Sequence, residues 1–565
     1  MMNYTKERKA RALLVSILFV AIFARFLFLY ARDVPVIADA VLYAQSGKNF
    51  IETGRYATSG GDLVDIVFPP GYPIAVGLAD HFFNNPLFSL RFVSFVFGSL
   101  LVHLFYLTGR EMSGEKAGLF ASFFAATNST LILFSQEVYS ESMFFFFTLL
   151  SFYLFLRLSK EPKNKNAVFF GFSIGMSYLI RPEGLLLMVL PFIFLLRIIK
   201  KFQYEILLRF LLVLFVTFFV MFPYVYFLSQ KTGKPAITAK MSTNLAAGIN
   251  FDGADMSRLS RDHFLRYEEN EANYNEQTNE LDYPKEEFKN TSILTVLLDN
   301  NFSGRYIAGF RSEAYALSAD HWAGILLLPI LLAIIYAVRD QKNRKNILVL
   351  SILSAELLIM FPIFHIESRY LAQVLIFLIL FASLGYAGYK GPGTELLPRK
   401  FTVFIKNLVI VLISSSFILF LYLSFVTNEF GGFCNYAFCI NTNVRDRSFP
   451  PTENSLAYEY KIAGEYIKNN SDSGEGGGLI MSRRPVEVSF YAGMDSLGIT
   501  FPDTSAENVI KFAKANNVKY IIVDKRYLGV RKNYKDLASL QDFSNDVYLV
   551  FEDSSVSDIK LFQVK

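Results

Sequence analysis

The chain is poor in residues that define several protein classes. Two cysteines and one tryptophan stand among its 565 residues. Cys434 and Cys439 permit one local disulfide in an oxidising compartment, with two separate thiols as the alternative. The formal net charge is only +5, too little for bulk attraction to nucleic acid, so no nucleic-acid partner is expected. A glycine-rich phosphate loop with its lysine is missing, and the EGGG run at 475–478 is a flexible turn. No clear internal repeat recurs. The first apolar stretch has no small-residue cleavage site before Asp33, which makes it a retained helix and not a removed signal.

What is abundant is apolar surface. Hydrophobic residues make up 53% of the chain, 59 of them Phe, and the mean hydropathy is +0.33. A water-facing protein needs more polar surface than that, so the fold class expected is a polytopic α-helical membrane protein. Helices cross a hydrocarbon core of about 30 Å with about 20 apolar residues because they satisfy their own backbone hydrogen bonds. Candidate spans are 12–30, 87–107, 117–134, 139–156, 167–180, 184–199, 206–228, 323–338, 347–364, 370–389 and 403–426, about eleven transmembrane helices.

Basic residues gather in alternate connections. They stand at Lys6, Arg8, Lys9 and Arg11, at Arg110/Lys116, at Lys160/Lys163/Lys165, at Lys200/Lys201/Arg209, at Arg339/Lys342/Arg344/Lys345 and at Arg399/Lys400. The positive-inside rule then puts the N-terminus in the cytoplasm. An odd number of spans leaves the C-terminus outside, in a plasma (inner) membrane protein. The expected organisation is a transmembrane core over 1–426, with external loops 31–86 and 229–321, and a small extracytoplasmic α/β domain over 427–565. In the second loop the charged middle, residues 266–288, is expected to be a solvated helix broken at Pro284. In the terminal domain, helices near 456–469 and 505–516 are expected. Its expected strands are GLIMS, VSFYAG, VKYIIVD, VYLVFE and IKLFQV.

The polar clusters that interrupt the spans all fall on the external side. Asp39 lies in a helix-like stretch with Tyr43 and Gln45, and PPGYP (69–73) follows where the chain returns to the membrane. A carboxylate there can accept a proton from an attacking hydroxyl or amine, with a solvated or helix-capping Asp as the plain alternative. SQEVYSES (135–142) is a tight turn. If its helix starts near Val138, Glu137 and Glu141 share a face and can hold a substrate hydroxyl or a divalent metal, Mg or Mn. SYLIRPEGLLL brings Arg181 and Glu183, and FHIESRYLAQ brings His365, Glu367, Arg369 and Tyr370. A guanidinium at that depth suits a phosphate anchored in the bilayer, and a snorkelling Arg is the structural alternative.

In combination these motifs resemble the polyprenyl-phosphate-sugar-dependent glycosyltransferases of the C superfamily, which include protein O-mannosyltransferases and lipid A aminoarabinose transferases. The early Asp with its Tyr, PPGYP, the Glu pair, RPEG and ESRY carry the resemblance, which covers roughly residues 10–425. It implies an integral membrane hexosyl- or pentosyltransferase with a glycosyltransferase C-like core. Such an enzyme moves a sugar from an undecaprenyl or dolichyl phosphate donor to an extracytoplasmic glycan, lipid or protein acceptor by inverting displacement. Asp39 matches the family's catalytic acid. Tyr43, Arg181, Glu183, Glu367, Arg369 and Tyr370 are expected to bind substrate and lipid phosphate, and Glu137 and Glu141 to hold the sugar or a metal. Ala40 follows Asp39 where the mannosyltransferases carry a second acid, so their acceptor does not transfer to this chain. The only Trp, Trp322, lies outside the terminal domain, which disfavours the oligosaccharyltransferase branch and its tryptophan-rich motif. A transporter or flippase is the rival from another class. His103 and Glu356, inside spans, speak for it, and the lack of matched Gly/Pro breaks in two halves speaks against it.

Overall fold

The computed structural model describes residues 2–30, 39–57, 68–136, 138–196, 204–233, 235–238, 273–275, 280–282, 298, 302–315, 317, 323–337, 341–363, 368–387, 399–425, 458–470, 478–482, 485–494, 496–498, 506–524, 547–553 and 559–565. Seven of its helices are long and apolar enough to cross a membrane. They include α1 (Met2–Tyr30), α4 (Pro86–Ser113), α7 (Glu141–Lys160) and α10 (Tyr204–Thr232), and the later helices Gln341–Met360, Ser368–Ala387 and Arg399–Phe425 complete the set. The other four expected spans are shorter or broken. Span 117–134 is α5 (Glu115–Thr127) and α6 (Ser129–Phe134), span 167–180 is α8 (Asn164–Ile180), and span 323–338 has its α-helix over Leu327–Ala337. Span 184–199 is a 3-10 helix, Pro182–Met188, running into α9 (Val189–Leu195). A count of eleven full-length helices is therefore not reached among the described residues.

Ser368–Ala387 is the most enclosed of the long helices and packs against α5, α4 and α7. The outer helices carry bare apolar faces. Phe215, Phe219 and Phe222 of α10 are 65%, 71% and 64% exposed, as residues facing lipid must be. His103 also lies on an exposed face of α4, with its ring against Tyr106 at 6.1 Å, and not in the interior that a transport path needs.

The break between α5 and α6 leaves carbonyl groups without helical partners inside the bundle. Arg25, fully buried in the first apolar run, supplies the donors. Its guanidinium reaches the carbonyls of Ala125 at 3.1 Å and Ala126 at 3.4 Å, and its Nε reaches Ser135 Oγ at 3.0 Å. Asn128 then starts α6 by accepting from the Leu131 N–H at 3.1 Å. A membrane tolerates such irregular backbone only when protein groups satisfy it.

Two short helices of the first loop lie against the bundle, α2 (Asp39–Thr53) and α3 (Gly71–Phe83). They cross at Gly47 and Gly77, where a β-carbon on either would strike the backbone of the other, and this close approach holds α2 down. The charged middle of the second loop differs from its expected helix. Its described part is an antiparallel pair, β1 (Asn273–Asn275) and β2 (Glu280–Asp282).

The terminal unit is a five-stranded mixed sheet of order β4-β3-β5-β7-β6. Its strands are β3 (Leu479–Ser482), β4 (Ser496–Gly498), β5 (Val518–Asp524), β6 (Val547–Asp553) and β7 (Ile559–Val564). Helices Tyr458–Asn470 and Ala506–Ala515 lie where the pattern predicts them. VSFYAG does not form the expected strand. It belongs to helix Pro485–Ala492, the crossover between parallel β3 and β4, and a parallel pair needs such a connection. This helix contacts α2, and its Phe490 and Tyr491 pack against the membrane core.

Replacing Arg25 with Leu strips donors from two buried carbonyls at roughly 1–3 kcal/mol each. The thermal midpoint of the detergent-purified protein should fall clearly for R25L and only slightly for S135A. Equal midpoints for R25L and wild type would show that the helix break does not depend on Arg25.

Candidate active site

The polar centre lies at the opposite end of α7 from its basic end. Lys160 there binds the carbonyl of Glu111 at 2.7 Å, and Asn346 reaches the carbonyl of Met112 at 3.5 Å. The twenty residues of α7 run from Glu141 to Lys160, so the two ends stand about 28 Å apart.

Local sequence sets each site residue. Pro182 forces the residue before it out of the helical region, so Arg181 ends α8 in extended backbone (φ −148, ψ 135). Its N–H still bonds the Ser177 carbonyl at 3.0 Å, and the Gly184 N–H closes the following turn on the Arg181 carbonyl at 2.9 Å. RPEG is thus a corner that throws Arg181 sideways from the helix end. Glu141 stands in the first turn of α7, where the helix dipole favours a carboxylate.

The two meet as a buried ion pair. Arg181 Nη1 donates to Glu141 Oε1 at 2.7 Å, and Nη2 donates to Glu183 Oε1 at 3.2 Å. The Glu141 side chain is 2% exposed and that of Arg181 13%. Tyr370 covers the guanidinium at 4.8 Å from its ring centre and Phe144 at 5.8 Å, a cation–π arrangement that strengthens as water is excluded.

The helix bearing Asp39 connects to this pair through aromatic rings. Asp39 is 4% exposed in the first turn of α2, and Tyr43, one turn on, is 6% exposed. The Tyr43 ring meets Phe68 edge-on at 4.8 Å and Tyr72 at 5.1 Å. Tyr72 belongs to PPGYP. Its neighbour Gly71 lies so close to α8 that a β-carbon would come within 2.7 Å of the Leu179 carbonyl, which seats the loop two residues from Arg181. The Tyr72 hydroxyl bonds Ser94 Oγ at 3.0 Å, and Ser94 donates to the Tyr139 carbonyl at 3.1 Å. Burial pushes the Tyr72 phenol above its ordinary pKa. The Ser94 hydrogen bond works against that shift and the Glu141 charge adds to it, so Tyr72 keeps its proton and stays a donor.

The structure therefore gathers Glu141, Arg181, Glu183 and Tyr370 directly, and links α2, which carries Asp39 and Tyr43, to the start of α7 through Tyr72 and Ser94. One premise changes: α7 begins at Glu141 and residues 138–140 bend, so the helix start expected near Val138 is not met. Glu137, His365, Glu367, Cys434, Cys439 and the Arg369 side chain lie outside the described residues. Among the described residues no three His, Cys, Asp or Glu side chains group as metal ligands, and Glu141 is engaged by a cation of the chain itself.

Sequence reasoning missed Tyr72, Ser94 and Gln136. The Gln136 amide is buried, and neither its nitrogen nor its oxygen has a hydrogen-bond partner among the described residues. The signals were present but weak: a Tyr between prolines, a Ser inside an apolar run and a Gln beside an acid.

Residues 15–234 match the family model described as dolichyl-phosphate-mannose-protein mannosyltransferase. No curated protein matches the chain in sequence. Among solved structures, ArnT from Cupriavidus metallidurans in the apo state is similar with a TM-score of 0.55 at 12% identity, covering 98% of this chain and 98% of that one. The same protein bound to undecaprenyl phosphate gives 0.53 at 13%, covering 97% of each chain. The oligosaccharyltransferase AglB from Archaeoglobus fulgidus, in complex with an inhibitory peptide and a dolichol-phosphate, gives 0.54 at 12%, covering 92% of this chain and 70% of that one. The chain therefore shares its fold with these membrane glycosyltransferases.

Breaking a buried ion pair costs roughly 3–5 kcal/mol where the remaining charge loses its partner. Arg181→Ala should lower the thermal midpoint more than Glu141→Ala, which leaves Arg181 with Glu183, and the double variant should lower it by clearly less than their sum. Additive losses would show that the two side chains are not coupled.

Proposed function

We propose that the chain transfers a sugar from a polyprenyl phosphate to an acceptor on the outer side of the membrane, with the N-terminus in the cytoplasm. The observation that carries this reading is the buried Arg181, held by two carboxylates under the Tyr370 ring and next to the loop that bears Asp39. Two of the matched structures hold a polyprenyl or dolichol phosphate, and the Arg181 corner offers such a group a fixed guanidinium at the helix ends. The working division is a membrane core over 1–426 and an outer unit over 427–565, whose helix Pro485–Ala492 packs on α2.

The reaction is a single displacement. Asp39 takes the proton from an acceptor hydroxyl or amine, and the freed electron pair attacks the anomeric carbon of the sugar. The bond from that carbon to the phosphate oxygen breaks, and polyprenyl phosphate leaves with the bonding electrons, inverting the anomeric centre. No nucleotide is needed, because the phosphate is an adequate leaving group once its charge is met. Stabilising that charge in a partly dry site is commonly the largest catalytic term.

Charge counting refines the roles. Glu141 and Glu183 together outweigh Arg181, so a phosphate needs a further cation, and Arg369, one residue before Tyr370, is the candidate. Glu183 holds the longer of the two contacts, 3.2 Å against 2.7 Å. It turns from Arg181 to a sugar hydroxyl when the phosphate arrives, while Glu141 keeps the guanidinium oriented. Tyr43 and Tyr72 line the approach to Asp39, and Glu367 and Glu137 belong to the same face in sequence.

General-base catalysis contributes about 10²–10⁴-fold, so Asp39→Asn should lose that much turnover with purified lipid donor while still binding it. Full turnover in D39N would remove the base assignment. A divalent ion at Glu141 with Glu137 is the second point to test. With Arg181 already on Glu141, EDTA should leave turnover unchanged, and a loss reversed by Mg or Mn would assign the ion a role.

A further inference from the structure

The basic end of the bundle, far from the Arg181 corner, holds two cations that no described acid neutralises. Other cations at this end have a carboxylate beside them: Arg157 and Lys160 lie on Glu111, and Lys163 lies on Glu161. Lys116, exposed in the first turn of α5, and Lys406, half-buried in helix Arg399–Phe425, have no carboxylate within ion-pair distance among the described residues. The acid nearest in sequence, Glu115, turns to α4 and accepts from the Tyr106 hydroxyl at 2.7 Å.

Aromatic rings join the two lysines. The Lys406 ammonium lies over the Tyr386 ring, 5.5 Å from its centre, and that ring stacks on Phe120 at 4.4 Å with the planes 18° apart. Phe120 is buried and stands one turn after Lys116, so both side chains leave the same face of α5. Helix Arg399–Phe425 packs on α5, and Lys116 is near enough for its charge to repel Lys406. The Tyr386 hydroxyl makes no hydrogen bond among the described residues, which leaves a third donor on the ring itself.

A cation at this depth needs an answer. Lys406 lies within the apolar stretch Val403–Leu421, and its neighbours Val403, Phe404 and Leu408 are exposed, as lipid-facing residues are. A single lysine in such a place snorkels to water. This one is held over a ring that a buried partner fixes, beside a second positive charge. Like charges kept together without an acid repel each other unless an anion stands between them, and ammonium groups donate strongly to phosphate oxygens. We propose that Lys116 and Lys406, beside the Tyr386 ring, bind the phosphate headgroup of an anionic phospholipid. The site does not depend on the reaction proposed above.

The surroundings choose the source of the phosphate. A free phosphate ion would have to leave water for a surface that includes Val403, Phe404 and Leu408, whereas a phospholipid covers those side chains with its own acyl chains while its headgroup meets the lysines. Basic pockets between membrane helices bind anionic headgroups in this way. A zwitterionic headgroup fits less well, because it brings a further cation to two that already repel.

The test uses the full-length protein in detergent, with lipid binding read by native mass spectrometry. The probes are phosphatidylglycerol, phosphatidylcholine with the same acyl chains, and inorganic phosphate as a competitor. Wild type should prefer phosphatidylglycerol, and Lys116→Gln and Lys406→Met should each weaken its binding roughly fivefold. Lys406→Arg should retain it, and so should Lys163→Gln, which removes a lysine that Glu161 already holds. Lys116 is exposed, so the lipid-free thermal midpoint of Lys116→Gln should match wild type and verify folding. Unchanged phosphatidylglycerol binding in the variant that carries both Lys116→Gln and Lys406→Met would overturn the proposal. An equal loss in Lys163→Gln would also overturn it, by reducing the effect to diffuse attraction. Competition by inorganic phosphate at equal concentration would reassign the site to a soluble anion, and equal binding of phosphatidylcholine would remove headgroup charge from the account.

Discussion

The buried pair of Glu141 and Arg181 is the contact from which the polar end of this bundle is organised. It joins the start of α7 to the end of α8 across a 2.7 Å bond, in surroundings where neither charge has water to fall back on. Such a pair gives little net stability, because desolvation offsets much of the attraction. Its value is geometric. A guanidinium tied at one edge to Glu141, touched at the other by Glu183 and covered by Tyr370 keeps one orientation, and the phosphate site proposed here needs that fixity more than it needs strength.

Irregular backbone is the means by which the site is assembled. The RPEG corner turns Arg181 out of its helix, and the α5–α6 break admits the turn that leads to Glu141. Arg25 makes that break tolerable from a different helix by supplying donors to the Ala125 and Ala126 carbonyls. Two arginines in the same half of the chain thus do unlike work. One mends backbone inside the bundle, and the other waits at its edge with aromatic rings above it. The terminal unit adds a third layer, since helix Pro485–Ala492 rests on α2 and brings Phe490 and Tyr491 to the core.

Much of the fold was legible because hydropathy and charge report the membrane directly. The seven long spans, the basic side, the RPEG and PPGYP corners and most strands of the terminal sheet follow from local composition. The misreadings share one cause. VSFYAG alternates well enough for a strand, but the parallel pairing of β3 and β4 requires a crossover there, and only the sheet order reveals that requirement. The helix expected to start near Val138 starts at Glu141, a boundary that the bend before it decides. Nothing in the local sequence around Arg25 points to its partners at Ala125 and Ala126.

By itself, the sequence determined that this chain lives in a membrane, which side its basic loops share, and which residue types crowd the other side. Those properties depend on each segment's own transfer free energy and so need no neighbours. Only the tertiary structure decided which carboxylate holds Arg181, that Tyr72 links the α2 loop to the start of α7, and that Lys406 lies over the Tyr386 ring near Lys116. Contacts between residues dozens to hundreds of positions apart arise from how helices pack, and packing is settled by the shapes of all the surfaces together.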